Sequence, residues 1–248
     1  MNKIALITGA GRGIGAATAL RLAQAGYAIA LNYRVDRAAA EQTAERVRAL
    51  GVRALVVQAD ISQEAEVDRL FLAVDRALGP LTLLVNNAAI LHAQSRLVDM
   101  NMARWQAVFQ TNVIGTFLCS KQAVLRMSRS SGGQGGVIIN ISSAAARLGS
   151  AGEYIDYAAS KGAIDTLTIG LASEVADEGI RVNGVRPGLI YTDMHASGGE
   201  PGRVDRLKAN LPLKRGGTAD EVAAAIAFLA SDDAAYSTGA FIDVSGGC

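Results

Sequence analysis

Tyr157 and Lys161 stand four residues apart in Tyr154-Ile155-Asp156-Tyr157-Ala158-Ala159-Ser160-Lys161, a stretch that reads as helix. That spacing puts both side chains on one helix face, one turn apart. An ammonium beside a phenol favours the phenolate, so the Tyr157 pKa is expected below its ordinary value of about 10. The pair would then give and take a proton near neutral pH. Spacing alone proves little, because Tyr and Lys at i,i+4 are commonly a plain surface contact. Two other features add weight: Ser142-Ser143 at the end of an apolar run, Val137 to Ile141, and a glycine-rich turn near residue 10.

That turn is Thr8-Gly9-Ala10-Gly11-Arg12-Gly13-Ile14-Gly15, between a first predicted strand (Ile4 to Thr8) and a helix (Ile14 to Ala25). Glycines there permit a tight bend and close approach of a phosphate, which a helix N-terminus then receives on free N–H groups. A carboxylate at the end of the second strand would hold a ribose 2′-hydroxyl. The chain reads Asn32-Tyr33-Arg34 instead. Arg34, with Arg12 in the turn, suits a 2′-phosphate by charge-assisted hydrogen bonds. The cofactor expected is therefore NADP(H) rather than NAD(H); the competing reading makes both arginines solvated surface residues.

Short β-rich runs alternate with amphipathic segments throughout. Strands are predicted at Ile4 to Thr8, Ala28 to Asn32, Ala54 to Gln58, Leu81 to Val85, Val137 to Ile141, Arg181 to Val185 and Ala240 to Val244. Helices are predicted at Arg37 to Leu50, from a Ser62 cap to Leu78, from Met102 to Met127, through Tyr157 to Ala176, and from a Thr218 cap to Ala230. Apolar strands joined by helical crossovers imply an α/β, Rossmann-type doubly wound fold: one domain over residues 1–248, with a seven-stranded parallel sheet covered on both faces. The long irregular stretch from Tyr191 to Arg215 is expected to be a substrate lid (191–215).

The 248 residues are 50% hydrophobic and 19% charged, and 24 Lys and Arg against 23 Asp and Glu leave a formal charge of +1. Such a balance gives no reason to expect nucleic acid or an anionic membrane as partner. Two cysteines, Cys119 and Cys248, form no metal or redox motif, and no metal is expected. Without a signal-like N-terminus or a spanning apolar run, the expected location is the cytoplasm.

Taken in order, these residues resemble the short-chain dehydrogenase/reductase family over essentially the whole chain. The matches are the Thr8–Gly15 turn, Asp60, Asn86-Asn87-Ala88-Ala89, Asn112, Ser142-Ser143, Tyr157 with Lys161, and Arg186-Pro187-Gly188 followed by Thr192. Within the family the nearest likeness is to bacterial glucose dehydrogenase and 3-oxoacyl-acyl-carrier-protein reductase-like oxidoreductases, through Arg147 to Tyr157 and Met194 to Arg206. Two departures stand out. Ala89 replaces the family's usual glycine, which a backbone outside left-handed space would tolerate. The interval from Ser143 to Tyr157 is 14 residues rather than 13, implying one extra loop residue; Ser142 is the weaker alternative for the catalytic serine.

The resemblance implies hydride transfer between a nicotinamide and a carbonyl or secondary alcohol, with Asn112, Ser143, Tyr157 and Lys161 catalytic. Tyr157 exchanges the proton, Ser143 steadies the substrate oxygen, and Lys161 also binds the nicotinamide ribose. Asn112 would hold a relay water, or simply bond a local backbone group. Gly9, Arg12, Gly13, Ile14, Gly15, Tyr33, Arg34, Asp60 and Ile61 would hold the adenosine and phosphate side. Asn87, Ala88, Tyr157, Lys161, Pro187, Gly188, Ile190 and Thr192 would hold the rest. The competing role for Asp60 is to cap the next turn, the ordinary habit of a strand-end Asp. His195 belongs to the lid and His92 to a loop; Glu153 and Asp156 read as solvated loop acids, and Trp105 as core or subunit contact. Apolar and small residues in excess of one sheet-facing stripe (Ala158, Ala163, Leu167, Leu171, Ala172) suggest a subunit contact, or else a thickly packed core, and the resemblance implies a homotetramer with Phe241 to Cys248 in a second contact. The alternative to an enzyme is a catalytically silent NADP(H)-sensing or scaffold protein on the same fold.

Overall fold

A computed structural model describes residues 3–248. Seven parallel strands form one sheet: β1 (Ile4–Ile7), β2 (Ala28–Tyr33), β3 (Ala54–Gln58), β4 (Leu83–Asn86), β5 (Gly136–Ile141), β6 (Ile180–Pro187) and β7 (Phe241–Val244). Their order is β3-β2-β1-β4-β5-β6-β7, so the chain leaves β1 toward one edge and returns to build the other. The reversal opens a crevice at the carboxyl ends of β1 and β4, where this class of sheet binds ligands.

Side chains alternate across the sheet. Ala5, Ile7, Ile29, Leu31 and Val85 face one layer, formed by α1 (Gly13–Gln24), α2 (Arg37–Ala49) and the last helix, Ala219–Ala230. Ile4, Leu6, Ala30, Leu84, Ile138 and Val182 face the other. That layer contains α3 (Glu64–Ala77), α5 (Gly115–Met127) and α7 (Ile155–Glu174), with α4 (Met102–Phe109) leading into α5 and a short α6 (Ala145–Leu148) preceding α7. Beyond β6 come α8 (Met194–Ser197), α9 (Arg203–Leu207) and α10 (Ala219–Ala230). Both faces of the inner strands are covered, which is why they read as unbroken apolar runs.

Two helices differ from the sequence expectation. Ser62 caps nothing: its N–H goes to Asp60 Oδ1 at 3.0 Å, and α3 begins two residues later at Glu64. The single helix predicted from Met102 to Met127 is broken by a π-helical turn over Gln110–Ile114. No residue type in Gln110–Ile114 marks such a turn, so the apolar pattern on either side reads as one helix. Thr218 does cap α10, in a reciprocal capping box with Glu221. No described helix is long and apolar enough to cross a membrane.

Candidate active site

Two adjoining hollows open at the carboxyl ends of the strands. The larger, about 500 Å³, runs over the glycine turn; Gly9, Arg12, Gly13, Ile14, Tyr33, Arg34, Asp60, Ile61, Asn87, Ala88 and Thr192 all line it. Gly13 has φ +55°, and Gly15 lies beneath the turn, where an added Cβ would collide with the Gly9 carbonyl. Side chains cap α2 (Asp36), α4 (Asn101) and α10 (Thr218), whereas none caps α1, and its first turn carries no acid. Its unpaired N–H groups and positive dipole end therefore suit a phosphate or pyrophosphate.

Asn87 fixes this turn against β4. Its Nδ2 donates to the carbonyls of Thr8 (2.9 Å) and Gly9 (3.1 Å), and the N–H groups of Asn87 and Ala88 donate to Thr8 Oγ1. Arg34 reaches over the cleft with 52% of its side chain exposed, its Nη1 3.9 Å from Asp60 Oδ2. Asp60 plays the capping role with Oδ1, toward Ser62, and keeps Oδ2 in the cleft. Among the lining residues not expected from sequence are Asn32, Thr111, Asp193 and Asp36, whose carboxylate is occupied by the N–H of Ala39 as the cap of α2. For Asp36, its position just before a predicted helix was the available signal.

The smaller hollow, about 170 Å³, brings together Ser143, Tyr157 and Lys161, with Pro187, Gly188, Ile190 and Thr192 on a neighbouring wall. Both serines line this hollow, but Ser142 is buried and donates its hydroxyl to the Lys161 carbonyl, while the Ser143 Oγ accepts from the N–H of Ala145 and meets the Tyr157 hydroxyl. The structure thus favours Ser143 over Ser142. Lys161 is only 3% exposed; its Nζ donates to the Ile141 carbonyl at 2.7 Å and lies 5.6 Å from the centre of the Tyr157 ring.

The expected lowering of the Tyr157 pKa is not found. Burial pushes the phenol up to about 12, against a smaller downward pull from the Ser143 hydroxyl. Burial pushes the Lys161 ammonium down to about 8, against the opposing charge of Asp165. Spacing shows the charge but not the loss of water around both groups, and here desolvation outweighs it.

Asn112 lines neither hollow. Both its amide hydrogens are in use, toward the Ile90 carbonyl and Ser160 Oγ (3.1 Å each), and its Oδ1 accepts from the Ile90 N–H at 2.8 Å. Its partners are therefore a distant backbone, that of Ile90, and the Ser160 hydroxyl, rather than a local backbone group. Glu153 and Asp156 are not solvated loop acids. Glu153 pairs with Arg203 of the 191–215 segment at 2.5 and 2.9 Å, and Asp156, 1% exposed, pairs with Arg104. That segment covers the smaller hollow with His195 and Arg203; His195 Nε2 meets the Ile190 carbonyl at 3.0 Å, and burial lowers the imidazole pKa. His92 lines the larger hollow, and no His, Cys, Asp and Glu cluster fit for a metal occurs among the described residues.

Residues 9–248 match a family model described as enoyl-(acyl carrier protein) reductase. An uncharacterized oxidoreductase, YgfF of Escherichia coli K12, is 58% identical over 98% of this chain and 99% of its own. A short-chain dehydrogenase from Burkholderia cenocepacia J2315, solved in complex with NADP, superposes with a TM-score of 0.91 at 34% identity, covering 99% of this chain and 97% of the other. The chain belongs to the short-chain dehydrogenase/reductase family. Another solved relative is a 3-ketoacyl-(acyl-carrier-protein) reductase from Brucella melitensis complexed with NADH, with a TM-score of 0.91, 33% identity and the same coverage.

As a short-chain dehydrogenase/reductase the chain keeps its two departures at no visible cost. Only Ser150 and Lys214 among described non-glycine residues have positive φ, so the Ala89 methyl meets no left-handed strain. The longer interval from Ser143 to Tyr157 is taken up by α6 and a turn in which Gly149, Ser150 and Gly152 all have positive φ.

The displaced titrations can be read directly. In the ligand-free protein, lysines labelled at 13Cε should show one ε-carbon titrating near pH 8, as burial of Lys161 dictates. That signal should vanish in Lys161→Arg. A spectrum in which every lysine titrates at its ordinary value would refute the dominance of desolvation at this site.

Proposed function

We propose that this protein is an NADP(H)-dependent oxidoreductase interconverting a carbonyl and a secondary alcohol (CH–OH) in a 3-oxoacyl thioester, small ketone or sugar. The observation that carries the reading is the convergence of Ser143, Tyr157 and Lys161 in one pocket beside an uncapped helix N-terminus. The Gly9–Gly15 turn would hold the pyrophosphate, Arg34 and Arg12 the 2′-phosphate, and Tyr33, Asp60 and Ile61 the adenosine. Asn87 and Ala88 would hold the nucleoside, and Pro187, Gly188, Ile190 and Thr192 the carboxamide. When bound, the nicotinamide supplies or takes the hydride.

The chain supplies the proton and the electrostatics. In reduction the Tyr157 hydroxyl protonates the oxygen on which charge develops, and in oxidation its phenolate removes the alcohol proton. Ser143 donates a hydrogen bond to that same oxygen. Lys161, anchored on the Ile141 carbonyl, sets a positive charge beside the Tyr157 ring and would hold the ribose hydroxyls. Asn112 supports the site from behind by holding Ile90 and Ser160, next to Lys161. The 191–215 segment acts as the substrate lid. Two free cysteines, Cys119 and Cys248, fit the reducing cytoplasm as its place of work.

A panel of 3-oxoacyl and enoyl thioesters, ketones, diketones and sugars with NADPH tests the activity. Tyr157→Phe should lower turnover of the accepted substrate by roughly 10²- to 10⁴-fold, the usual worth of a placed general acid. If no substrate turns over faster with wild type than with the mutant, while NADPH still binds both, the silent sensing or scaffold role replaces the enzyme.

Cofactor choice rests on Arg34, since one solved relative holds NADP and another NADH. Half-exposed, Arg34 should contribute on the order of 1.5 kcal/mol toward a 2′-phosphate, or roughly tenfold in affinity. Replacing Tyr33 by Asp and Arg34 by Ala should weaken NADPH far more than NADH in titration calorimetry. Equal wild-type affinity for both, or equal losses, would remove the 2′-phosphate assignment.

The homotetramer is supported by apolar side chains left in the open on α4, α5 and α7: Met102, Phe109, Phe117, Leu125 and Ile169. Ala158 and Ala172, taken from sequence as interface residues, are buried within the subunit's own core. Light scattering should give about four times the 25.7 kDa chain mass. A mass of one chain at micromolar concentration would exclude the assembly.

A further inference from the structure

Tyr157 sits in the first turn of α7, the end of a helix that is most prone to fray, yet proton transfer needs its phenol held in place. The residue at the cap position, Tyr154, offers no side-chain cap. Asp156 takes over that task from inside the helix. Its carboxylate faces the backbone N–H groups of Asp156 and Tyr157 at the positive end of the dipole. It is itself gripped by Arg104 of α4, with Nε to Oδ2 at 2.6 Å and Nη2 to Oδ1 at 3.1 Å. The third arm of the same guanidinium, Nη1, donates to the Ala93 carbonyl at 2.6 Å. Neighbouring Leu91 lines both hollows, and the next backbone link, Ser95 N–H to the Glu153 carbonyl at 3.0 Å, ties the same loop to the turn before α7.

The exposures are 13% for Arg104 and 1% for Asp156, so the pair is shielded from water and rigid. Burial alone would raise the Asp156 carboxyl, but the hydrogen bonds from Arg104 and from the Tyr157 backbone outweigh it and hold the pKa below the ordinary carboxylate value. A lysine could not replace the arginine, because only the planar fork can engage both carboxylate oxygens and still reach the Ala93 carbonyl.

We infer that Arg104 and Asp156 are positioning residues for Tyr157, locking the first turn of α7 and the 91–95 loop into the geometry that proton transfer requires. The inference rests on Tyr157 being the proton donor. Neither residue lines the hollows, so neither touches substrate; both act through the tyrosine's backbone.

The test compares wild type with Arg104→Met, Arg104→Lys, Asp156→Asn and the double variant Arg104→Met/Asp156→Asn. Arg126→Met serves as control: it breaks another partly buried ion pair, to Asp75, that lines neither hollow. Misplacing Tyr157 should lower kcat by roughly tenfold to a hundredfold, with the KM for cofactor unchanged. Arg104→Lys, which keeps the charge and the fold, should lose part of this. The double variant should be no worse than the poorer single one, because the two act as a unit. Amide exchange followed by mass spectrometry, without substrate, should be faster over residues 155–160 in the Arg104 and Asp156 variants and unaltered in Arg126→Met. Unchanged kcat in the folded variants, an equal kcat loss in the Arg126→Met control, or undisturbed exchange over 155–160 would overturn the inference. Absence of turnover by wild type would instead count against the proposed activity, and the exchange measurement would still decide whether the pair holds the turn.

Discussion

Four buried polar side chains fix the centre of the molecule. Asn86 and Asn140 are register partners on β4 and β5, joined by Nδ2 to Oδ1 at 2.9 Å. Asn86 also donates to Ser120 of α5, and Asn140 to Thr168 of α7. An apolar quartet would bury as well and cost less desolvation, so the polar network contributes specificity more than stability. A slip of one residue between these strands would break every one of its bonds. The site begins directly beyond these side chains in the chain. Asn87 holds the glycine turn, and Ile141 and Ser143 receive Lys161 and the pocket. Thr168 fixes the helix on which Tyr157 and Lys161 stand, so relative positions within the site are set close to a buried lock.

The catalytic pair then lives under a conflict. Lys161 is attracted to the position by one carbonyl and disfavoured there by the loss of water, and the result is an ammonium at about 8. Tyr157, in the same dry pocket, is held neutral up to about 12. At neutral pH the site therefore holds a charged lysine beside a protonated phenol, the form suited to giving a proton. Drawing out the phenolate would need further positive charge near the ring, because burial opposes the charged phenol.

Strands, crossovers and the glycine turn were legible in the sequence because each arises from a local rule: an apolar run, a helix period, a backbone that must bend. Thr218 and its capping box are of the same kind. The π turn at Asn112 and the missing Ser62 cap were not legible, since no residue type marks a π turn, and the Asx turn closed by the Ser62 N–H on Asp60 Oδ1 precedes a helix that starts only at Glu64. Nor was the sign of the Tyr157 shift, which depends on how much water the rest of the chain excludes. Asp156 and Glu153 were misread for the same reason: their partners, Arg104 and Arg203, lie about 50 residues away in the chain, and no local pattern pairs them.

The Glu153 pairing gives the longer interval between Ser143 and Tyr157 a physical use. Left-handed backbone at Gly149, Ser150 and Gly152 turns the chain sharply enough to bring the Glu153 carboxylate to Arg203. Arg203 also lies over the Tyr154 ring, at 5.2 Å from its centre, and the Tyr154 hydroxyl meets the Gly198 carbonyl. Gly198 leaves no room for a side chain there, since a Cβ would come within 2.9 Å of Leu91. Cover and catalytic turn are therefore joined by a charge pair, a ring face and a close backbone contact. Shielded ion pairs of this kind hold firmly when formed but lose their advantage once water enters. The loop that carries Glu153 leads directly into the first turn of α7, so the 191–215 segment and Tyr157 are tied to the same stretch of chain.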